Sequence, residues 1–208
     1  MFYLFFILAV LLAFSLFLSV IRSGRFSTWA KVFRILMVVG SIAIFAILFF
    51  RKSVDQFLEN SVTVQVINKL PFPLDFYIIK VNDGADPDLK YETRHVGKIR
   101  NDFYRIDYLE MSNSQQYWLA GYMGKKNLVY FSQHSVPNKN EDQIIEVRNY
   151  IIQSYKLAEI AKVEIDYLKF NNIKTAIWIT LDLLLLFLNL ALLLRKPKEK
   201  SRKQVREV

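Results

Sequence analysis

The chain has 208 residues, no cysteine, 53% hydrophobic residues and a formal net charge of +9. Without cysteine it can form no disulfide and offers no thiolate for metal or redox chemistry. The charge does not point to nucleic acid, because residues 53–172 hold 14 Lys and Arg against 16 Asp and Glu; the basic excess lies in the flanking segments, and the C-terminal tail carries no interleaved aromatics and no docking module.

The first element is an apolar run from Phe2 to Ile21 with no charged residue. It is long enough to span a bilayer, which takes about 20 residues. No basic residue precedes it and no A-x-A site follows, so it is expected to be retained rather than cleaved as a signal peptide. A second run, Lys31 to Phe50, also meets the length requirement, and the pair is expected to form a hairpin around RSGRFSTWA. That turn contains Arg22 and Arg25, with Lys31 and Arg34 just beyond. Basic residues flanking a span mark its cytoplasmic side.

SVTVQVI then alternates, with Val62, Val64 and Val66 on one face, and predicts a half-buried strand. LDFYIIKV predicts a second strand, and NDGADPDLK reads as a loop. Asp83, Asp86 and Asp88 there suggest calcium, but the spacing departs from an EF-hand and a plain turn explains the composition. Further strands are expected near Glu92–Ile99, Phe103–Met111, Gln116–Met123, Asn127–Ser132 and Gln143–Ile151. In the Phe103–Met111 segment, Tyr104, Ile106 and Tyr108 share a face opposite Arg105 and Asp107. Rings this numerous mostly fill a core, and a surplus would mark an interface. Seven short strands separated by turn signals suggest a small antiparallel sandwich of immunoglobulin-like type, with an irregular barrel or an α+β domain as the alternative.

SYKLAEIAKVEIDYLKF switches to the helical period, with Leu157, Ile160, Ala161, Ile165 and Leu168 on one face and Ser154 as the cap. It leads into the third apolar run, Ile173 to Leu194, and a continuous rod through both would act as a stalk. After it comes a basic tail, with Arg195, Lys196, Lys198 and Lys200 leading. Tail and hairpin turn are both expected in the cytoplasm, leaving the N-terminus and residues 53–172 outside; the tail reads as a topology signal, with attraction of anionic lipid as the alternative.

Within the third run, Thr175, Asp182 and Asn189 recur every seven residues. A helix returns to nearly one face each heptad, so they form a polar stripe that should face protein rather than lipid. Three arrangements follow: packing on the chain's own hairpin, where Ser15, Ser19, Ser41 and Arg34 offer partners; packing on another subunit; or titration of Asp182 in an ion or proton pathway.

Catalytic signals are sparse. His95 and His134 have no partner at metal-ligand spacing, YMGKKN lacks the order of a phosphate loop, and no nucleophile elbow occurs. The expected fold is therefore an integral membrane α-helical protein with three transmembrane helices and an inserted all-β, immunoglobulin-like sandwich. The expected layout is a transmembrane hairpin over 1–52, an extracytoplasmic β-domain over 53–152, an amphipathic stalk helix over 153–172, a third span over 173–194 and a cytoplasmic tail over 195–208. The expected function is a non-catalytic accessory or scaffolding subunit of a bacterial inner-membrane complex of the secretion, motor or envelope-transport type. Its partners would be other integral membrane subunits, a periplasmic protein and the lipid bilayer, with no cofactor, metal or nucleic acid. A membrane receptor that binds a ligand on the β-domain is the alternative.

Overall fold

The computed structural model describes residues 2–20, 25–54, 61–84 and 90–195. They fall into two compact units, Met1–Phe50 with Ile173–Val208, and Arg51–Asn172.

The helical unit contains α1 (Phe2–Leu18), α2 (Arg25–Val54) and the second half of α3 (Tyr155–Leu194). Ring contacts set the directions. Phe5 meets Phe45 at 6.4 Å between centroids and Phe14 meets Phe33 at 5.9 Å, so α1 and α2 are antiparallel. Phe6 meets Trp178 at 5.4 Å, and Ser15 bonds Asn189, so α1 and α3 run the same way.

The expectation of three transmembrane helices is corrected here. Among the described residues two helices, Phe26–Phe50 and Tyr155–Leu194, are long and apolar enough to cross a membrane. The first is not. The apolar run continues to Ile21, but α1 has 17 residues and reaches about 25 Å at 1.5 Å per residue, short of a hydrocarbon core of about 30 Å. Its end is set by two tight i→i+3 bonds, Ser19 N–H to Leu16 O at 3.0 Å and Val20 N–H to Phe17 O at 3.2 Å.

Among its described residues the second unit has seven strands in two sheets: β1 (Ser61–Asn68), β2 (Leu74–Asn82), β3 (Tyr91–Ile99), β4 (Tyr104–Glu110), β5 (Ser114–Met123), β6 (Asn127–Ser135) and β7 (Gln143–Val147). One sheet has the order β4-β1-β7 and the other β3-β2-β5-β6. β1 pairs with β4 antiparallel and with β7 parallel; all pairings in the larger sheet are antiparallel. The strands arise where the alternation sets them, but the all-β sandwich does not describe the unit, because a helix supplies its third layer.

Two cores show this. Between the sheets, Val62, Val64, Val66, Leu109 and Val147 pack on Phe76, Ile78, Tyr117 and Leu119. On the other face of the larger sheet, Tyr77, Ile79, Trp118, Ala120 and Phe131 pack on Ala158, Ala161 and Ile165 of α3. The four-stranded sheet is thus covered on both sides, which explains the nearly unbroken apolar runs FYIIKV and YWLAGY in β2 and β5. The small Ala158 and Ala161 let the helix backbone approach the sheet. The first four turns of α3 are therefore part of the domain rather than a free-standing stalk. Ser154 caps them, its Oγ accepting from Leu157 N–H at 3.4 Å.

The sheets are tied at one edge by basic side chains. Arg94 donates to Tyr108 O at 3.0 Å, Arg105 to Val96 O at 3.0 Å, and Lys80 to Glu110 O at 3.1 Å. Lys80 also pairs with Glu92 at 2.5 Å, and Arg94 with Glu92 at 3.0 Å. Burial alone would raise the Glu92 carboxyl, but the hydrogen bonds from Lys80 and Arg94 outweigh it and hold the group below its usual value. Gly97, at φ 104°, sits beside the bulge opposite Phe76 and Tyr77, and a Cβ there would collide with the Arg105 guanidinium. The bonds from Arg94 and Lys80 occupy the Tyr108 and Glu110 carbonyls of β4, an edge strand that would otherwise be open to pairing.

Candidate functional site

In the helical unit the polar residues of the predicted stripe behave differently from one another. Asn189 is fully buried: its Oδ1 accepts from the Ser15 hydroxyl at 3.0 Å, and its Nδ2 donates to Leu12 O and Leu185 O, both at 3.0 Å. Arg34 donates to the backbone oxygen of Asn189 at 3.3 Å. Asp182 is also fully buried, yet neither carboxylate oxygen has a hydrogen-bond partner among the described residues. Thr175 is half-buried.

Arg34 does not serve Asp182, and helix geometry explains why. Asp182 lies seven residues, about 10 Å, along α3 from the Asn189 level where Arg34 binds. On the antiparallel α2, the residue seven further on is Ser41, whose hydroxyl turns back onto Met37 O at 2.7 Å. The chain's own helices thus bury both Asp182 and Asn189 but, among the described residues, supply hydrogen-bond partners to Asn189 and none to Asp182.

The basic residues expected to set topology also divide. Arg34 is buried rather than a loop charge; Lys31 and Arg195 are exposed. Arg22, Lys196, Lys198 and Lys200 lie outside the described residues, as does the side chain of Arg25.

In the β-bearing unit the outward face of the small sheet is the most distinctive surface. The register pairs Val62 with Leu109, and both are buried. The opposite face of β4 must then point away from the core. It carries Tyr104, Ile106 and Tyr108, exposed by 58%, 46% and 43%. These stand opposite Ile67, Gln65 and Thr63 of β1, and Ile144 of β7, 64% exposed, flanks Gln65 on the other side. Tyr104, Ile106, Tyr108, Ile67 and Ile144 share this outward face, with Gln65 between Ile106 and Ile144. Large apolar side chains exposed together on one sheet face, tyrosine prominent among them, are typical of protein-contact surfaces.

The histidines are held structurally. His95 Nε2 lies 2.7 Å from Asp75 Oδ1, and the ring stacks on Tyr77 at 4.6 Å. His134 bonds the Ser132 hydroxyl at 2.7 Å and stacks on Tyr117 at 5.3 Å; burial pushes its pKa down. Among the described residues no group of three His, Asp or Glu side chains is disposed to hold a metal. Asp83 ends in a turn, while Asp86 and Asp88 lie outside the described residues.

Comparison with known protein families, curated proteins and solved structures finds no match to this chain.

Proposed function

We propose that the protein is a non-catalytic subunit of a membrane complex, anchored by its two long apolar helices and displaying the outer face of the β4-β1-β7 sheet to a protein partner. The observation that carries this reading is the field of Tyr104, Ile106, Tyr108 and Ile144, four large exposed side chains in register on one sheet face. Burying such a field would gain about 25 cal/mol per Å² of apolar surface removed from water.

The membrane part is supported by exposure as well as composition. Of the most apolar windows in the two long helices, 17% and 11% of the residues are buried. The core helix of a water-soluble protein would be mostly buried; these surfaces call for a hydrocarbon or protein covering. The basic residues flanking the spans support a cytoplasmic tail and an extracytoplasmic β-bearing unit in a bacterial inner membrane.

The test is the mass and composition of the particle. A C-terminally tagged chain, expressed at native level and extracted in mild detergent, should run as a complex larger than its own 24.5 kDa with a second chain in fixed ratio. Ile106→Asp alters an exposed position, leaves the core intact, and should release that chain. A lone protomer from the wild type, or a complex indifferent to Ile106→Asp, sinks the proposal.

A further inference from the structure

A second surface in the β-bearing unit has a different chemistry. The turn between β5 and β6 brings Lys125 and Lys126 to the side of α3, where Lys162, Asp166 and Lys169 project; with Tyr122 they line a groove of about 530 Å³. Four ammonium groups share it with one carboxylate. Lys162 pairs with Glu159 at 2.5 Å, and Lys169 reaches Asp166 only at 3.4 Å. Lys125 and Lys126 have no hydrogen bond or ion pair among the described residues.

Two features distinguish the groove from an ordinary solvated turn. The Lys169 ammonium is held over aromatic faces, 4.6 Å from the Tyr122 ring centroid and 5.3 Å from that of Tyr77, which fixes a flexible cation in advance of any ligand. The Tyr122 hydroxyl is buried and has no partner among the described residues. Tyr122 lines the groove, and an unpaired buried donor beside four ammonium groups is the complement of an oxyanion. Burial, with Asp166 and Glu159 adding to it, pushes Tyr122 up to about 12, so the hydroxyl keeps its proton and remains a donor.

We propose that this groove binds a phosphate-type oxyanion, with Lys125, Lys126 and Lys169 supplying the charge and the Tyr122 hydroxyl one hydrogen bond. The phosphate could come from an anionic lipid headgroup or from a soluble phosphate ester. Lys169 stands four residues before Ile173, where the apolar run of α3 begins, and cations just outside a span meet headgroups. The lipid source rests on the membrane reading above, whereas the oxyanion site does not.

The experiment uses the full chain in a neutral maltoside detergent with two probes. Inorganic phosphate is titrated by calorimetry, and phosphatidylglycerol is compared with phosphatidylcholine by native mass spectrometry of retained lipid. Lys125→Gln with Lys126→Gln, at exposed turn positions, should weaken phosphate or phosphatidylglycerol binding by at least about tenfold, and Tyr122→Phe should weaken it by a smaller factor at unchanged fold. Phosphatidylglycerol retained over phosphatidylcholine, and lost in the lysine variant, supports a lipid-filled site. Saturable inorganic phosphate binding with no lipid preference supports a soluble source, and would stand even if the chain failed to enter a bilayer. Absence of binding by either probe, or binding that the lysine variant leaves intact, overturns the proposal.

Discussion

Replacing Asp182 with leucine should stabilise the protein. The carboxyl is fully buried, and neither oxygen has a partner among the described residues. Leaving a buried polar group unsatisfied costs about 1–3 kcal/mol. On insertion scales an aspartate at the centre of a spanning helix costs roughly 2.5–3.5 kcal/mol, where leucine gains a few tenths. Against this, leucine adds volume to a packed site, and overpacking costs about 1–3 kcal/mol. The balance is a net gain of about 1–2 kcal/mol for Asp182→Leu. Asp182→Asn keeps the unmet polarity and should change stability little. Reversible unfolding of the full chain in mixed micelles, followed by helical circular dichroism, measures both. A loss of 2 kcal/mol or more in Asp182→Leu would refute the reasoning, since it would mean that the carboxyl has a stabilising partner that the helices do not otherwise reveal.

Two further outcomes are expected in the β-bearing unit. Ile165→Ala, at a fully buried position of α3 against Trp118 and Phe131, should cost about 2–5 kcal/mol, while Val163→Ala on the exposed side of the same helix stays within about 0.5; equal small effects in denaturant unfolding would mean that the helix stands free of the sheet. Burial holds His134 below its ordinary value, so the unfolded chain takes up a proton that the folded chain resists. Stability is complete above about pH 6.5 and declines as pH falls below it. His134→Gln should flatten that part of the unfolding-midpoint profile, and an unchanged slope between pH 7 and 5 would show that His134 is not its source.

The strands were legible because a half-buried strand writes its period into the sequence, as β1 does with Val62, Val64 and Val66. Which face of β4 turns inward was not legible. Tyr104, Ile106 and Tyr108 look like core, and only the pairing of Val62 with Leu109 turns them outward. The helical face through Leu157, Ala161 and Ile165 was visible, but what it covers depends on the second face of the four-stranded sheet, a tertiary fact. Hydropathy ran through Ile21 without a break, so the end of α1 at Leu18, set by backbone bonds of Ser19 and Val20, left no compositional trace. The heptad spacing put Asp182 and Asn189 on one face with Thr175, and Ser15 and Arg34 were nameable as partners; that Asn189, rather than Asp182, takes both depends on the antiparallel register of α2 and α3. The groove was hidden for a simpler reason: Lys125 and Lys126 stand far in sequence from Lys162 and Lys169, and only the sheet-on-helix layering brings them together.

The most direct test of the account is a photo-reactive amino acid placed at position 106, in cells expressing the full chain at native level, with position 163 as an exposed control away from the field. One dominant adduct is expected at 106, to a protein other than this chain, in near-stoichiometric yield and missing at 163. No adduct at 106, or the same scatter of weak adducts at both positions, would contradict the claim that the outer face of the β4-β1-β7 sheet is the surface through which this protein works.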